Sequence, residues 1–71
     1  MKLYMKIEFF SNPFCDGEVD YYKVVRINNS HFFPRYVIKE KNGMESEFRI
    51  YKGIVYEISI LTENEYFIDR L

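Results

Sequence analysis

The one cysteine and the one histidine of this chain are its only candidates for a nucleophilic pair. A thiolate activated by an imidazole is a common arrangement for covalent catalysis, and it would require Cys15 and His31 to meet. No glycine-framed thiol motif surrounds Cys15, and two such residues in a sequence do not by themselves indicate a catalytic site. We therefore expect no catalytic residues and no enzyme activity.

Three acidic residues near the first glycine suggest a cation site, because hard cations bind several carboxylate oxygens. Asp16, Glu18 and Asp20 alternate along the chain, but their spacing does not match an EF-hand loop. An acidic loop of this kind is typical of a solvated segment that keeps strands from pairing. We expect neither a bound metal ion nor a cofactor.

The segment from His31 to Arg35 is the clearest candidate for a binding surface. It holds two adjacent phenylalanines, Phe32 and Phe33, between a histidine and an arginine. Rigid aromatic rings beside arginine are typical of the residues that dominate binding at protein interfaces. One ring could plug an open end of the domain while the other protrudes toward a partner. The alternative is that both rings cap the core, as loop aromatics in small domains often do.

A second set of rings and positive charges suggests nucleic-acid binding. Bases stack on aromatic side chains, and arginine and lysine bind phosphates. The chain has no aromatic motif of the ribonucleoprotein kind, and its 10 basic and 11 acidic residues give a net charge of -1, too balanced for long-range attraction to nucleic acid. The candidate nucleic-acid surface comprises Tyr21, Tyr22, Arg26, Phe33, Arg35 and Tyr36.

The length and composition of the chain limit how these residues can be held in place. Its 71 residues fit one domain, residues 1–71, with one small core. A single cysteine allows no disulfide within the chain, so packing must supply the stability. The seven Tyr and seven Phe, 20% of the residues, provide much of the apolar area for that core.

The first half of the chain has the patterns of two strands. Apolar and polar residues alternate over residues 2–9, which predicts a strand with one buried face. Residues 20–28 are dense in Tyr, Val and Ile on both faces, which predicts a central strand. Two turn-forming dipeptides predict a loop over residues 11–20.

The first of two glycine-containing turns in the second half follows a strand predicted over residues 35–40. A two-residue loop at Asn42 and Gly43 would mix polar and apolar residues on both faces of the hairpin. A three-residue loop keeps Tyr36 and Phe48 on one face, and it requires a left-handed residue at the bulge. Glycine adopts that conformation without steric cost, so we predict a three-residue loop that ends at Gly43.

The second turn, Tyr51-Lys52-Gly53, has a similar sequence, which predicts that residues 44–50 pair with residues 54–61. Ile50 would then lie near Ile54, and the last three strands would form a meander. Five to six strands with twisting bulges predict a mainly β fold: a small antiparallel barrel or a strongly curved sheet with a C-terminal three-strand meander.

The last ten residues fit two structures. Thr62 and Glu65 have the spacing of a helix capping box, whereas residues 66–68 also suit a strand. The sequence leaves open whether this segment is a short strand or one helical turn over the mouth of the barrel.

Taken together, the residues predict a non-enzymatic protein-interaction module of the kind of a small inhibitor or accessory protein of phages or mobile elements. A larger protein is the expected partner, and self-association through an unpaired edge strand is compatible with this reading. Three features predict a cytoplasmic protein with no secretion signal. They are the lone thiol, the absence of an apolar run long enough to cross a bilayer, and Glu8, which ends the first apolar run early. The predicted partner-binding residues are Tyr21, Tyr22, Arg26, His31, Phe32, Phe33 and Arg35.

Overall fold

The computed structural model describes residues 2–10 and 17–71, which form a six-stranded antiparallel sheet followed by a short helix. The strands occur in the sheet in the order β4-β3-β2-β1-β6-β5. This confirms the predicted mainly β fold with a strongly curved sheet. The predicted loop over residues 11–20 falls mostly outside the described residues, and β2 begins within it. The elements are β1 (Leu3–Phe9), β2 (Val19–Asn28), β3 (Arg35–Lys39), β4 (Glu45–Phe48), β5 (Tyr51–Lys52), β6 (Tyr56–Thr62) and α1 (Glu63–Asp69).

The central strand β1 supplies the middle of the hydrophobic core. Met5 is 0% exposed and lies opposite Tyr22 of β2 and Ile60 of β6. Cross-strand partners share a face of the sheet, so the alternation along β1 turns one apolar row toward the core, as predicted. The buried cluster consists of Met5, Ile7, Val24, Ile38 and Ile58.

Strand β2 connects the two halves of the sheet, because its first half pairs with β1 and its second half with β3. The register shifts between Val24 and Arg26, and a bulge of this kind bends a strand. Val25 is exposed at the bulge. Beyond it, Ile27 lies opposite the core-packed Tyr36. The bulge therefore explains why the sequence of β2 shows apolar residues on both faces.

The hairpin between β3 and β4 has the predicted three-residue loop. The amide of Gly43 donates to the carbonyl of Glu40 at 2.9 Å, and the amide of Glu40 donates to the carbonyl of Met44 at 2.8 Å. Gly43 has a φ of 85°, in the left-handed region where glycine is favoured. The resulting register pairs Tyr36 with Phe48 on the core side.

The predicted pairing of residues 44–50 with residues 54–61 is wrong. β4 ends at Phe48, and the two residues of β5 pair with β6, so that Tyr51 lies opposite Ile58. Gly53, which the turn argument placed at a bulge, does not have a positive φ. A Cβ atom on Gly53 would lie 2.5 Å from the hydroxyl of Tyr51, so this glycine leaves room for the Tyr51 ring.

The link from β4 to β5 joins opposite edges of the sheet, because β4 and β5 are its outermost strands. Only Arg49 and Ile50 separate Phe48 from Tyr51. The Cα atoms of residues three positions apart can be at most about 11 Å from each other. The sheet must therefore curl until its edges approach each other at this link. Among residues 2–10 and 17–71, no backbone pairing joins β4 to β5. The fold is a half-barrel, and we call the gap between β4 and β5 the seam.

The end of the chain folds as helix α1, which settles the choice that the sequence left open. The Thr62 hydroxyl accepts a hydrogen bond from the Glu65 amide at 3.3 Å, and the Glu65 carboxylate accepts one from the Thr62 amide at 2.8 Å. This is the capping box that the sequence indicated. In residues 2–10 and 17–71, no helix has the length and apolar character needed to cross a membrane.

Helix α1 does not cover the mouth of the barrel, contrary to expectation. It begins directly after β6 without a loop and contacts β6 and the neighbouring β1. The ring of Tyr66 stacks on Tyr4 with centroids 3.8 Å apart, and Tyr4 alternates with the core residue Met5. The helix therefore packs on the outer face of the sheet, opposite the core.

Candidate functional site

The loop between β2 and β3 carries two exposed aromatic rings. The side chains of Phe32 and Phe33 are 93% and 55% exposed. Their centroids lie 5.0 Å apart in an edge-to-face arrangement, which is favourable for aromatic pairs. Neither ring belongs to the core cluster or packs against it. Because Phe32 is almost wholly exposed, the reading in which both rings cap the core is wrong.

A cation from the β4–β5 link supports the inner of these two rings. The Arg49 guanidinium carbon lies 5.4 Å from the centroid of Phe33 and 5.6 Å from that of Tyr51. Contacts of a cation with aromatic faces at this distance are attractive, so Arg49 ties the loop to β5. Phe33 also lines a shallow hollow of about 120 Å³ together with Pro34, Tyr36 and Ile50.

These contacts define one surface, which we call the aromatic tip: His31, Phe32, Phe33, Arg49 and Ile50. The sequence pointed to its first three members but missed Arg49 and Ile50, which it placed inside a predicted strand. Ile50 is exposed, and Arg49 stands between aromatic and apolar neighbours in the chain. That local pattern was visible, but its proximity to Phe33 depends on how the sheet curls.

The other predicted binding residues do not share one surface. Tyr21 lies on the outer face, where its hydroxyl donates a hydrogen bond to Asp69. Tyr22 lies on the core side, and burial raises the pKa of its hydroxyl. The Arg26 guanidinium forms an ion pair with the Glu45 carboxylate. Arg35 is exposed at the start of β3, next in sequence to the loop that carries the tip.

The polar pairs around Arg26 have a structural role on the outer face. The Arg26 guanidinium donates a hydrogen bond to one oxygen of the Glu45 carboxylate at 2.9 Å and forms an ion pair with the other at 2.7 Å, and this pairing holds the pKa of Glu45 below its usual range. Since Arg26 is on β2 and Glu45 on β4, the pair crosses β3 near Val37, which lies opposite Arg26. Val37 is only 1% exposed although it is outside the core cluster. The ion pair therefore shields a second small apolar site.

A hydrogen-bonded cluster fastens α1 to the sheet. The Asp69 carboxylate lies 2.8 Å from the ammonium of Lys6 and also accepts the Tyr21 hydroxyl. These two hydrogen bonds, the Lys6 one first, hold the pKa of Asp69 below its usual range. At the C-terminal end of α1, the Arg70 guanidinium donates a hydrogen bond to the Tyr66 hydroxyl at 2.6 Å. The cluster joins β1, β2 and α1 by charge as well as by ring stacking.

The Asp69 cluster predicts that α1 detaches in acid. Because the folded state lowers the pKa of Asp69, the contact stabilises the fold above about pH 4 and loses that contribution as the pH falls through the folded pKa. The pKa of Lys6 is raised, chiefly by its hydrogen bond to Asp69. The stabilisation that Lys6 contributes is therefore lost only as the pH rises above the ordinary pKa of lysine. Amide chemical shifts of α1, followed by NMR from neutral to low pH, should show a transition below pH 4.

The matched control for this titration is Asp69→Asn, which keeps the size of the side chain but removes its charge. Its α1 signals should already resemble the low-pH form at neutral pH and should lack the acid transition. A transition of the same size in both proteins would contradict the assignment to Asp69.

The metal and nucleophile candidates of the sequence lie partly outside the described residues. Within residues 2–10 and 17–71, no group of three His, Cys, Asp or Glu side chains could hold a metal ion. Cys15 and Asp16 lie outside the described residues, so the structure does not test the Cys15–His31 pair or the acidic loop. Comparisons with protein-family models, with curated proteins and with solved structures found no match to this chain.

Proposed function

We propose that this chain is a non-enzymatic protein-interaction module that docks on a larger protein through the aromatic tip. In this proposal it acts in the cytoplasm as a small inhibitor or accessory protein of phage or mobile-element type. The observation that carries the proposal is the exposure of Phe32 at 93%, beside the half-exposed Phe33. A domain this small has little apolar surface to spare from its core, so two exposed adjacent rings favour a binding role.

The tip has the physical features of an interface anchor. Large rings remove much apolar area from water when a partner covers them, and a ring that is already held in place loses little conformational entropy on binding. Phe33 is held in this way by Arg49 and by its contact with Phe32. Arg35 and His31 are exposed nearby and supply polar groups for the rim of the interface, where polar residues are common.

The geometry favours a protein partner over single-stranded nucleic acid. A base-stacking platform needs several exposed rings on one face with free cations beside them. Tyr21 and Tyr22 are neighbours in a strand and point to opposite faces, and Arg26 is paired with Glu45. Only three of the six proposed nucleic-acid residues lie at the tip or next to it: Phe33, Arg35 and Tyr36.

Replacing Phe32 by alanine should abolish partner capture without changing stability. The ring is almost wholly exposed, so its loss removes no core contact, whereas truncating an interface anchor costs at least about 2 kcal/mol, or roughly 30-fold in affinity. The measurement is capture from a native host lysate with the tagged chain as bait, followed by titration of the captured protein. Thermal melting of each variant checks the fold.

Ile54→Ala is the matched control, because Ile54 is also apolar and 94% exposed but lies in the β5–β6 turn. The control should bind like the parent chain. Equal losses in both variants would indicate non-specific hydrophobic adhesion, and unchanged capture by Phe32→Ala would remove the tip from the interface.

The nucleic-acid alternative is tested by fluorescence anisotropy of labelled single-stranded DNA and RNA at about 50 and about 200 mM salt. Micromolar binding that weakens steeply with salt and is lost in Phe32→Ala would replace the protein-docking proposal. No binding at the lower salt concentration would leave a protein as the partner of the tip.

A further inference from the structure

A second binding feature lies beside the aromatic tip, along the open edge of β4. Among the described residues, β4 pairs with β3 alone and forms one outer edge of the sheet. Such an edge presents unpaired backbone N–H and C=O groups that can hydrogen-bond to another chain. Many peptide-binding domains use an exposed edge in this way, by adding an extended ligand as a further strand.

The register of the β3–β4 hairpin shows which groups face outward. The Glu40 amide donates to the Met44 carbonyl, and hydrogen-bonded pairs alternate with non-bonded pairs along an antiparallel ladder. Ser46 and Phe48 are therefore bonded to β3. The intervening residues Glu45 and Glu47 direct their backbone N–H and C=O groups toward the seam.

The seam has space for side chains, and part of its lining is apolar. A cavity of about 260 Å³ opens there, and Phe48, Tyr51, Tyr56 and Ile58 line it together with the charged residues Arg35, Glu47 and Arg49. A strand inserted between two others separates them by about 9.6 Å, twice the spacing of paired strands, and the two-residue link permits a separation of up to about 11 Å. A single added strand stays within this limit, and it would turn every second side chain toward the cavity.

The outer side of the seam favours a positive charge on the ligand. Side chains directly opposite on neighbouring strands interact, and opposite charges are favoured there. The Glu45 carboxylate is already bound by Arg26. Glu47 accepts only a hydrogen bond from Asn28, at 3.2 Å, and no ion pair within the described residues neutralises it. A lysine or arginine placed opposite Glu47 would pair with it.

A second copy of this chain is a poor occupant of the same edge. Pairing two β4 strands through their outward backbone groups brings Glu45 and Glu47 of one copy opposite the same residues of the other. Like charges placed directly opposite are unfavourable, so the edge favours a different chain.

We propose that the seam is a peptide-binding site, in which an extended segment of a partner protein adds to β4 as a further strand. Its inward side chains are apolar and enter the cavity, its outward side chains are polar, and one of them is a lysine or arginine opposite Glu47. The site adjoins the aromatic tip, because Arg49 of the tip lines the same cavity, but it uses the backbone edge of β4 and not the Phe32 and Phe33 rings.

The test uses the whole chain and a synthetic peptide, Val-Thr-Val-Lys-Val-Thr-Val with capped ends, at up to about 1 mM. Amide hydrogen exchange and NMR titration of the parent chain should show that the Glu45 and Glu47 amides become protected. A peptide of the same composition with contiguous valines should not bind, and replacing its lysine by glutamate should weaken binding at least several-fold.

Two variants separate the backbone contact from the side chain. Glu47→Pro removes the outward N–H, which β3 does not use, and proline is tolerated at such edge positions. Glu47→Ala removes the same carboxylate but keeps the N–H. The proline variant should bind the peptide about tenfold more weakly than the alanine variant, as expected for one lost hydrogen bond.

Three results would overturn the proposal: no protection of Glu45 and Glu47 at the highest peptide concentration, equal binding by Glu47→Pro and Glu47→Ala, or tighter binding of the glutamate peptide. Protection without peptide, with a doubled mass in light scattering, would assign the edge to self-association instead. If Glu47→Pro does not fold, the exchange measurement on the parent chain still decides the outcome. Phe32→Ala should leave peptide binding unchanged, because the Phe32 ring does not line the cavity.

Discussion

Replacing Met5 by alanine is expected to cost about 2–5 kcal/mol of folding free energy, the range for large-to-small substitutions in protein cores. Met5 is 0% exposed and lies on the central strand β1, between Tyr22 and Ile60. A chain of this length has a total stability of about 4–10 kcal/mol. The substitution should therefore lower the melting temperature by at least about 10 °C, measured by circular dichroism or calorimetry.

The chain provides a matched control for this prediction, because Met44 is the same residue type but 65% exposed in the β3–β4 hairpin. Met44→Ala should change the stability by less than about 0.5 kcal/mol. Met5→Leu conserves volume and should cost less than about 1.5 kcal/mol. Equal losses for Met5→Ala and Met44→Ala would contradict the assignment of the core to the inner face of the curled sheet.

The core could be predicted from the sequence wherever short-range alternation is strict. The inward row of β1 follows directly from period-two patterning. The β3–β4 hairpin followed from parity, since only a three-residue loop placed Tyr36 and Phe48 on one face and Gly43 could take the left-handed position. In both cases the signal lies within a few residues of the structure that it predicts.

The seam and the aromatic tip could not be predicted in this way. Tyr51-Lys52-Gly53 resembles the turn at Lys41-Asn42-Gly43. However, the Tyr51 ring packs against the core, and Tyr51 and Lys52 form strand β5 instead of a turn. This puts the turn two residues later than expected and leaves β4 without a second neighbour. The contact of Arg49 with Phe33 joins parts of the chain that meet only because the sheet curls, and no local pattern encodes such a meeting.

The docking of α1 depended on a similar long-range contact. The capping box predicted a helix start at Thr62, but nothing local showed which surface the helix would cover. Tyr4 and Lys6 lie on the outer face of β1, and their partners Tyr66 and Asp69 are more than sixty residues away in sequence. In the sequence of β1, aromatic and charged residues alternate with core residues. This pattern is typical of an exposed face and does not show that a helix covers it.

Replacing Tyr66 by alanine is expected to detach α1 from the sheet. A helix of seven residues is not stable alone in water, so its packing must hold it. The Tyr66 ring stacks on Tyr4 at 3.8 Å and meets Tyr21 edge-on at 5.5 Å, while the Arg70 guanidinium lies 5.2 Å from its centroid. Losing this half-buried ring should cost about 2 kcal/mol from lost apolar contact and ring pairing together.

Phe67→Ala is the control, because Phe67 is the next residue of the same helix and its ring is exposed. Both substitutions raise helix propensity by a similar amount, so they differ mainly in what the lost ring contacted. Tyr66→Ala should reduce ellipticity at 222 nm and speed amide exchange throughout α1, whereas Phe67→Ala should leave both unchanged. If neither variant loses the helix, then α1 is not held by the Tyr4–Tyr66 stack and its stability must come from the Asp69 cluster and the capping box. Equal losses in both variants would show that the effect is not specific to the contacts of Tyr66.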